Sequence, residues 1–209
     1  SSGNGNNGTN TNSATVTAIG YDNTANGAYS FVAASSNYIN IGASISNINT
    51  ISLWINPDDI TSVGIIKLHS TPIDIEIDGS NKINLNGFSN SSIYINGTLD
   101  TIGSTSLSSI SQSVWTHICI TTTTSITSHD SHTFIGYDGT NYYDGSIDDV
   151  RIYNKALSPE QVESIYYEGN FDFKNGLQGW WKLDDHVYVT GAKIMDSSGN
   201  NNIGTIEAG

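Results

Sequence analysis

Positive charge is scarce in this chain. Its 209 residues hold 7 Lys and Arg against 20 Asp and Glu, a formal net charge of −13. So acidic a chain offers no electrostatic footprint for nucleic acid or an anionic membrane. The single cysteine, Cys119, excludes an intrachain disulfide and any multi-cysteine metal site. No apolar run approaches the roughly 20 residues that a membrane-crossing helix needs, and no membrane span is expected. Residues 1–9 carry neither the basic start nor the apolar stretch of a signal peptide. Charged residues of both signs make up only 13% of the chain, about half the usual share of roughly 25%.

Amides and hydroxyls take the place of charge. There are 24 Asn, 29 Ser and 21 Thr, with 21 Gly besides. Hydrophobic residues at 36% and aromatic residues at 10% still suffice for a core, which argues against disorder. The length fits one all-β domain or two small ones.

Alternation with period two dominates the pattern. Ile73-Asp74-Ile75-Glu76-Ile77-Asp78 puts three isoleucines on one face and three carboxylates on the other. Shorter versions run through Ile51-Ser52-Leu53-Trp54-Ile55, Ile93-Tyr94-Ile95 and Val150-Arg151-Ile152-Tyr153. Asn26-Gly27, Asp78-Gly79, Asn86-Gly87, Asn96-Gly97, Asp138-Gly139 and Asp144-Gly145 punctuate them as turns. Many short strands with glycine-bearing turns predict a β-sandwich or barrel. The uncharged, β-branched run 121–128 reads as an edge strand or a loop. One short helix is predicted over residues 159–168: Ser158 is an N-cap, Pro159 takes the first helical position and Gln161 completes a capping box. A lone helix near the end of such a domain is expected to act as a packing lid.

The chain echoes itself. Residues 1–9 match residues 197–205 at seven of nine positions, with Gly-Thr closing both copies. An offset of nearly the whole chain is a mark of tandem or permuted architecture.

Residues 144–158, Asp144-Gly145-Ser146-Ile147-Asp148-Asp149-Val150-Arg151-Ile152-Tyr153-Asn154-Lys155-Ala156-Leu157-Ser158, resemble the signature of the laminin-G-like, concanavalin A-like lectin-glucanase jelly-roll domains. Gly27-Ala28-Tyr29-Ser30-Phe31, Thr50 to Ile55, Trp115-Thr116-His117 and Phe134-Ile135-Gly136 follow in the order of that family. The resemblance spans essentially the whole chain and implies a two-sheet antiparallel jelly-roll sandwich. In one respect the chain departs from the pattern. The strand that opens such domains resembles Gly176-Leu177-Gln178-Gly179-Trp180-Trp181-Lys182-Leu183-Asp184-Asp185, followed by the loop Asp196-Ser197-Ser198-Gly199-Asn200, and both lie at the C-terminal end. Residues 1–175 then read as a jelly roll lacking its first strand, and residues 176–209 as the strand and loop that complete it. A sandwich missing a strand exposes unpaired backbone and apolar core. The segment carrying Leu177, Trp180, Trp181 and Leu183 must therefore fill the slot in its own domain, or enter the next copy head to tail.

The family also implies a structural calcium. Asp148 and Asp184 are the leading ligands, with Asn200 or its counterpart Asn4 adding an oxygen, and calcium is suited to such an all-oxygen set; the alternative is a solvated acidic strand end beside an Asn-Gly turn. Lectin-like relatives bind glycans through loop aromatics backed by Asn and Asp. Tyr137, Tyr142 and Tyr143 flank Asp138-Gly139-Thr140-Asn141 and supply both elements, or else merely cover an edge of the sandwich. The Asp74-Glu76-Asp78 row resembles the catalytic strand of concanavalin A-like glucanases only superficially, because its glutamate is central and its aspartates lie outside. A polar strand face is the simpler reading. Asn7, Asn90 and Asn96 head glycosylation sequons. Cys119 alternates with isoleucines as a packed thiol, and the five histidines form no metal-ligand spacing.

The sequence thus predicts a non-enzymatic, extracellular or cell-surface structural module that self-associates head to tail, as a filament or array subunit, with calcium as a structural ion. The alternative is a calcium-dependent carbohydrate-binding or adhesion module recognising cell-surface or environmental glycans. A glycoside hydrolase is the weakest reading.

Overall fold

The structure, a computed structural model, describes residues 19–42, 45–128, 132–168, 174–184 and 189–208. The strands in chain order are β1 (Tyr29–Phe31), β2 (Asn37–Asn40), β3 (Ile48–Pro57), β4 (Val63–His69), β5 (Ile73–Ile77), β6 (Lys82–Asn86), β7 (Ser91–Ile95), β8 (Thr98–Ile102), β9 (Thr105–Ser109), β10 (Thr116–Ile126), β11 (Phe134–Ile135), β12 (Gly145–Tyr153), β13 (Leu177–Trp181), β14 (Lys193–Ile194) and β15 (Gly204–Ala208). They form two antiparallel sheets. One runs β1-β12-β3-β10-β7-β8 with β13 also on β12, and the other runs β14-β15-β2-β11-β4-β5-β6-β9. The fold is the all-β sandwich that the alternation predicts, in the two-sheet antiparallel jelly-roll form that the family resemblance implies.

Strand β5 shows how the pattern becomes structure. Ile75 and Ile77 are fully buried between the sheets, while Glu76 stays half-exposed on the outer face. The isoleucines of β5 join Ile39, Ile66, Leu85, Ile118, Ile147 and Trp181 in one core between the sheets. Asp78 leaves the expected row of three carboxylates, because β5 ends at Ile77. Its carboxylate instead accepts the backbone N–H groups of Ser80 (2.8 Å) and Lys82 (3.0 Å) and closes the turn. At the β7–β8 hairpin, Asn96 (φ 49°) and Gly97 (φ 76°) both lie in the left-handed region. A two-residue turn whose twist matches its strands requires that conformation, and Asn-Gly adopts it cheaply.

The run 121–128 corrects an expectation. Its first part belongs to β10, which is central in its sheet and pairs with both β3 and β7. Threonine fits a central strand here because its hydroxyls find partners. That of Thr122, for example, donates to the Ser89 carbonyl at 2.6 Å.

Helix α1 (Pro159–Glu168) begins as the capping residues dictate. The Ser158 N–H donates to Gln161 Oε1 (3.0 Å), and the Gln161 N–H returns a 3.4 Å bond to Ser158 Oγ. The helix buries Val162 and Ile165 against Tyr94, Cys119, Tyr153 and Leu177 on the outer face of the β12 sheet. Cys119 is fully buried there, and burial pushes its thiol well above the usual range.

In the structure the C-terminal segment lies on its own chain and contributes to both sheets. Strand β13 pairs with β12, Val150 opposite Trp181 and Arg151 opposite Trp180, and β15 pairs with β2. A register shift between Ile152 and Tyr153 lets Leu177 and Trp180 pack with the helix while Trp181 and Leu183 enter the main core. The loop after β13 is anchored through Asp196, whose carboxylate accepts the N–H groups of Trp180, Ser198 and Asn202 at 2.8–2.9 Å. Against the effect of burial, these bonds and that from the Ser198 hydroxyl hold the Asp196 carboxyl below its usual range.

Candidate functional site

Two regions concentrate functional side chains, one on each outer face. The first is on the eight-stranded sheet. Register places Asn40, Phe134, Lys67, Asp74 and Asn86 side by side on β2, β11, β4, β5 and β6. Amides and carboxylates interlock along β5 and β6. Asn86 Nδ2 donates to Asp74 Oδ1 (2.6 Å), and Asn84 Nδ2 donates to Glu76 Oε1 (2.8 Å). Asp74 is 6% exposed, and its carboxyl is raised chiefly by burial, against the Asn86 hydrogen bond.

Beside this row stands the 137–142 hairpin, closed by a bridge between Tyr137 and Tyr142. Their rings stack at 4.4 Å and 14°, and Tyr38 lies 5.4 Å from Tyr137 and 6.3 Å from Tyr142. Phe134 extends the platform, 5.8 Å from Tyr137. The hairpin holds its shape because the Asp138 carboxylate accepts the N–H groups of Thr140 and Asn141, both at 2.7 Å, and Lys67 Nζ donates to the Asp138 carbonyl at 3.0 Å. It packs over Gly64, where any Cβ would collide with Asp138 and Asn141.

Tyr137 and Tyr142 thus lie half-exposed on one platform. Tyr143, expected with them, does not. It is fully buried, edge-on to Phe31 at 6.1 Å. Successive residues of a strand point to opposite faces, so of the adjacent pair Tyr142-Tyr143 one ring goes outward and the other into the core. Tyr38 and Phe134 were missed as platform residues. Their signal was the alternation Asn37-Tyr38-Ile39-Asn40, which sets Tyr38 on the face opposite Ile39.

The second region is a cleft of about 170 Å³ whose lining includes Tyr21, Asp22, Asp148, Asp149, Trp180 and Asp184. It opens where the neighbour of β12 changes: β1 pairs with Gly145 to Ile147 and β13 with Val150 to Tyr153, leaving Asp148 and Asp149 between them. A bulge at this point gives Asp149 a φ of 48° and separates the two carboxylates. Asp149 forms a buried pair with Arg151 (2.8 Å) and also accepts the Trp180 indole N–H. The Arg151 guanidinium lies 4.7 Å from the centre of the Trp180 ring, and Lys182 Nζ lies 4.8 Å from it. Asp148 turns the other way. Its Oδ2 accepts the Tyr21 N–H at 3.2 Å, and burial, with the charges of Asp149 and Asp22 adding, pushes its carboxyl up to about 8.

Asp148 Oδ2, Asp22 Oδ1 and the Gly27 carbonyl oxygen converge beside Gly20. Each lies 3.0 Å from the point that a Cβ there would occupy. This oxygen cradle has the hard-donor chemistry of a calcium site. Asp184 lines the same cleft, so the structure brings it together with Asp148. Asn200 is not part of the lining; its amide donates to the Leu177 and Gln178 carbonyls at 3.0 Å and ties the loop to β13. Asn4 and Asn7 lie outside the described residues, as does the first copy of the echo. Asp22 was missed, its only signal being the polar turn Tyr21-Asp22-Asn23-Thr24. No group of three or more His, Cys, Asp or Glu poised for a metal occurs among the described residues; two carboxylates and a carbonyl form a different donor set. Of the sequons, Asn90 is exposed, and its amide donates to Thr124 Oγ1 (2.9 Å), while Asn96 accepts the His117 N–H (2.9 Å).

With this geometry in place, a family model and one solved structure point to the same class of fold. Residues 121–163 match the family model described as the concanavalin A-like lectin/glucanases superfamily. Among solved structures, the chain is similar to a Bacteroides ovatus protein provisionally described as carbohydrate-binding, at 17% identity and a TM-score of 0.58, over 86% of this chain. The chain spans 57% of that protein's length. A looser likeness, at 11% identity and a TM-score of 0.44, is to the heptameric SAP-like pentraxin of Limulus polyphemus, covering 86% of this chain and 91% of that one. No curated protein matches the chain in sequence.

Proposed function

We propose that this protein is a carbohydrate-binding module that works outside the cell and recognises a glycan on the outer face of the eight-stranded sheet. One observation carries the reading: a half-exposed platform of Tyr137, Tyr142 and Tyr38 stands beside a row of amides and carboxylates fixed by mutual hydrogen bonds. Aromatic faces suit the apolar C–H faces of sugars, and planar amides and carboxylates suit their hydroxyls. Oriented groups lose little conformational freedom on binding. Screening the purified chain against immobilised glycans tests this, with Tyr137→Ala and Tyr142→Ala as variants. Binding that both variants lose supports the reading, and binding that neither changes overturns it.

Calcium is proposed as a structural ion rather than part of that platform. Asp148, Asp22 and the Gly27 carbonyl would hold it, with Asp184 at the rim of the cleft. When bound it would neutralise buried carboxylate charge and fasten the 20–27 turn to β12. The protein's own residues already make part of that attachment, through the Tyr21–Asp148 hydrogen bond and the stacking of Tyr21 on Trp54 at 4.4 Å.

Neither assembly nor hydrolysis is the leading reading. Head-to-tail exchange would require β13 to leave the slot it fills on its own chain. For hydrolysis the strand offers only a superficial resemblance to a glucanase's catalytic strand, and its Asp74 and Glu76 carboxylates serve to order the Asn84 and Asn86 amides.

A further inference from the structure

The face described above has a length and a charge as well as a position, and both bear on what it can hold. This inference rests on the carbohydrate-binding reading and concerns the kind of glycan. Thr205 on β15 extends the row, because it pairs with Asn40. The line Thr205, Asn40, Phe134, Lys67, Asp74, Asn86 therefore crosses six adjacent strands. Five strand spacings amount to about 24 Å, several times the length of one pyranose ring. On β6, at the far end of the row, Asn84 and Asn86 remain half-exposed. The 137–142 hairpin borders it along one side, over Gly64.

The charge along the row is uneven. Asp74, Glu76 and Asp138 crowd its middle, and Asp138 contributes to the rise in Asp74. The one cation among them, Lys67, spends a hydrogen bond on the Asp138 carbonyl. Lys193 is confined to the β14 edge, bonded to the Thr205 hydroxyl at 2.7 Å, and Lys82 sits at the far end of β6. The whole chain adds a net charge of −13. An acidic sugar laid over this part of the face would meet the like charge of the half-exposed Glu76. A neutral sugar would meet the half-exposed carboxylate of Glu76, held in place by the Asn84 and Asn86 amides and ready to accept hydroxyl hydrogens.

We propose that this face takes an uncharged, extended oligosaccharide several sugars long, laid across the strands from the tyrosine platform to Glu76 and Asn86, and discriminates against acidic chains and single terminal sugars.

The experiment is calorimetry at low salt with the intact chain and two ladders of one to six sugars. One ladder is neutral (gluco-, manno- and xylo-oligosaccharides), and the other consists of uronic-acid oligomers of matched length. The expected result is affinity that rises at least tenfold from one sugar to four on a neutral ladder, with no binding of the acidic one. Glu76→Lys, a change at a half-exposed position, should weaken neutral binding severalfold and admit the acidic oligomers. Binding that saturates at one sugar, or acidic chains bound as tightly as neutral ones, overturns the inference and leaves carbohydrate binding standing. Failure to bind any sugar of either ladder overturns both.

Discussion

The indole of Trp181 lies over Gly179, two residues before it on the same strand, so closely that a methyl group at Gly179 would overlap the ring. Trp181 is fully buried, and its Nε1 donates to the Asn202 carbonyl at 2.7 Å. The side chain thus joins β13 in one sheet to the turn leading to β15 in the other. Trp181→Ala should destabilise the fold by about 3–5 kcal/mol, the usual cost of emptying a large aromatic site, and Gly179→Ala should destabilise it through overpacking. Urea unfolding measures both. A Trp181→Ala midpoint equal to that of the parent would show that the tail is not integral to the core.

The tyrosines of the 137–143 segment should separate by role. Tyr137→Ala and Tyr142→Ala are expected to leave the melting temperature nearly unchanged and to lower glycan affinity on the order of tenfold, equivalent to about 1.4 kcal/mol. Tyr143→Ala should do the reverse, lowering the melting temperature sharply, since its ring is in the core. Equal effects of all three on stability would contradict the outward placement of the first two.

His117 should make the protein acid-sensitive before its ordinary carboxylates titrate. The ring is fully buried and bonded to Ser52 Oγ at 2.9 Å, and burial, with the nearby Arg151 charge, lowers its pKa to about 3. An unfolded histidine takes its proton near 6.5. Below that pH the unfolded chain binds the extra proton, so this contribution to stability is full above about 6.5 and is lost as pH falls toward 3. The slope approaches 1.4 kcal/mol per pH unit. Asp148, raised to about 8, acts in the opposite sense. The histidine is therefore isolated by comparing the parent with His117→Gln between pH 7 and 5. Parallel stability curves for the two would refute the assignment.

Calcium should stabilise the chain and EDTA should not unfold it. Calcium at a hundred times its dissociation constant adds about 2.7 kcal/mol to a fold that binds it at one site, which a thermal melt resolves. Asp148→Asn should abolish that increment. It should not destabilise the metal-free protein, because it removes a carboxylate that burial disfavours. An equal rise in melting temperature for parent and variant would place the ion elsewhere.

In solution the chain should sediment as a 22.3 kDa monomer, because β13 and β15 satisfy sheet positions on their own chain. Filaments or large oligomers that vanish when residues 176–209 are removed would restore the head-to-tail reading.

Most of the fold was legible in the sequence, because period two and Asn-Gly turns are local signals. Ile75 and Ile77 declared the core side of β5, Asn96-Gly97 declared the β7–β8 hairpin, and Ser158 with Gln161 declared the helix start. The sites were less legible because each depends on pairings remote in sequence. Tyr38 meets Tyr137 only because β2 and β11 are neighbours, and Asp22 meets Asp148 only through the 20–27 turn. Asp148 and Asp149 are adjacent carboxylates in the sequence. The bulge sends Asp149 into a buried ion pair with Arg151 and leaves Asp148 as an oxygen donor to the cleft, a division that no local pattern reveals.

Cys119, sealed beneath helix α1, gives the chain a silent background for thiol chemistry. A cysteine introduced at the exposed tip of a hairpin would be the one sulfur to accept a dye or spin label in the folded protein, with no second site to remove first. Under denaturing conditions the native thiol would begin to react as well, so a single modification reagent could both report ligand docking at the engineered position and time the lifting of the helix from its sheet.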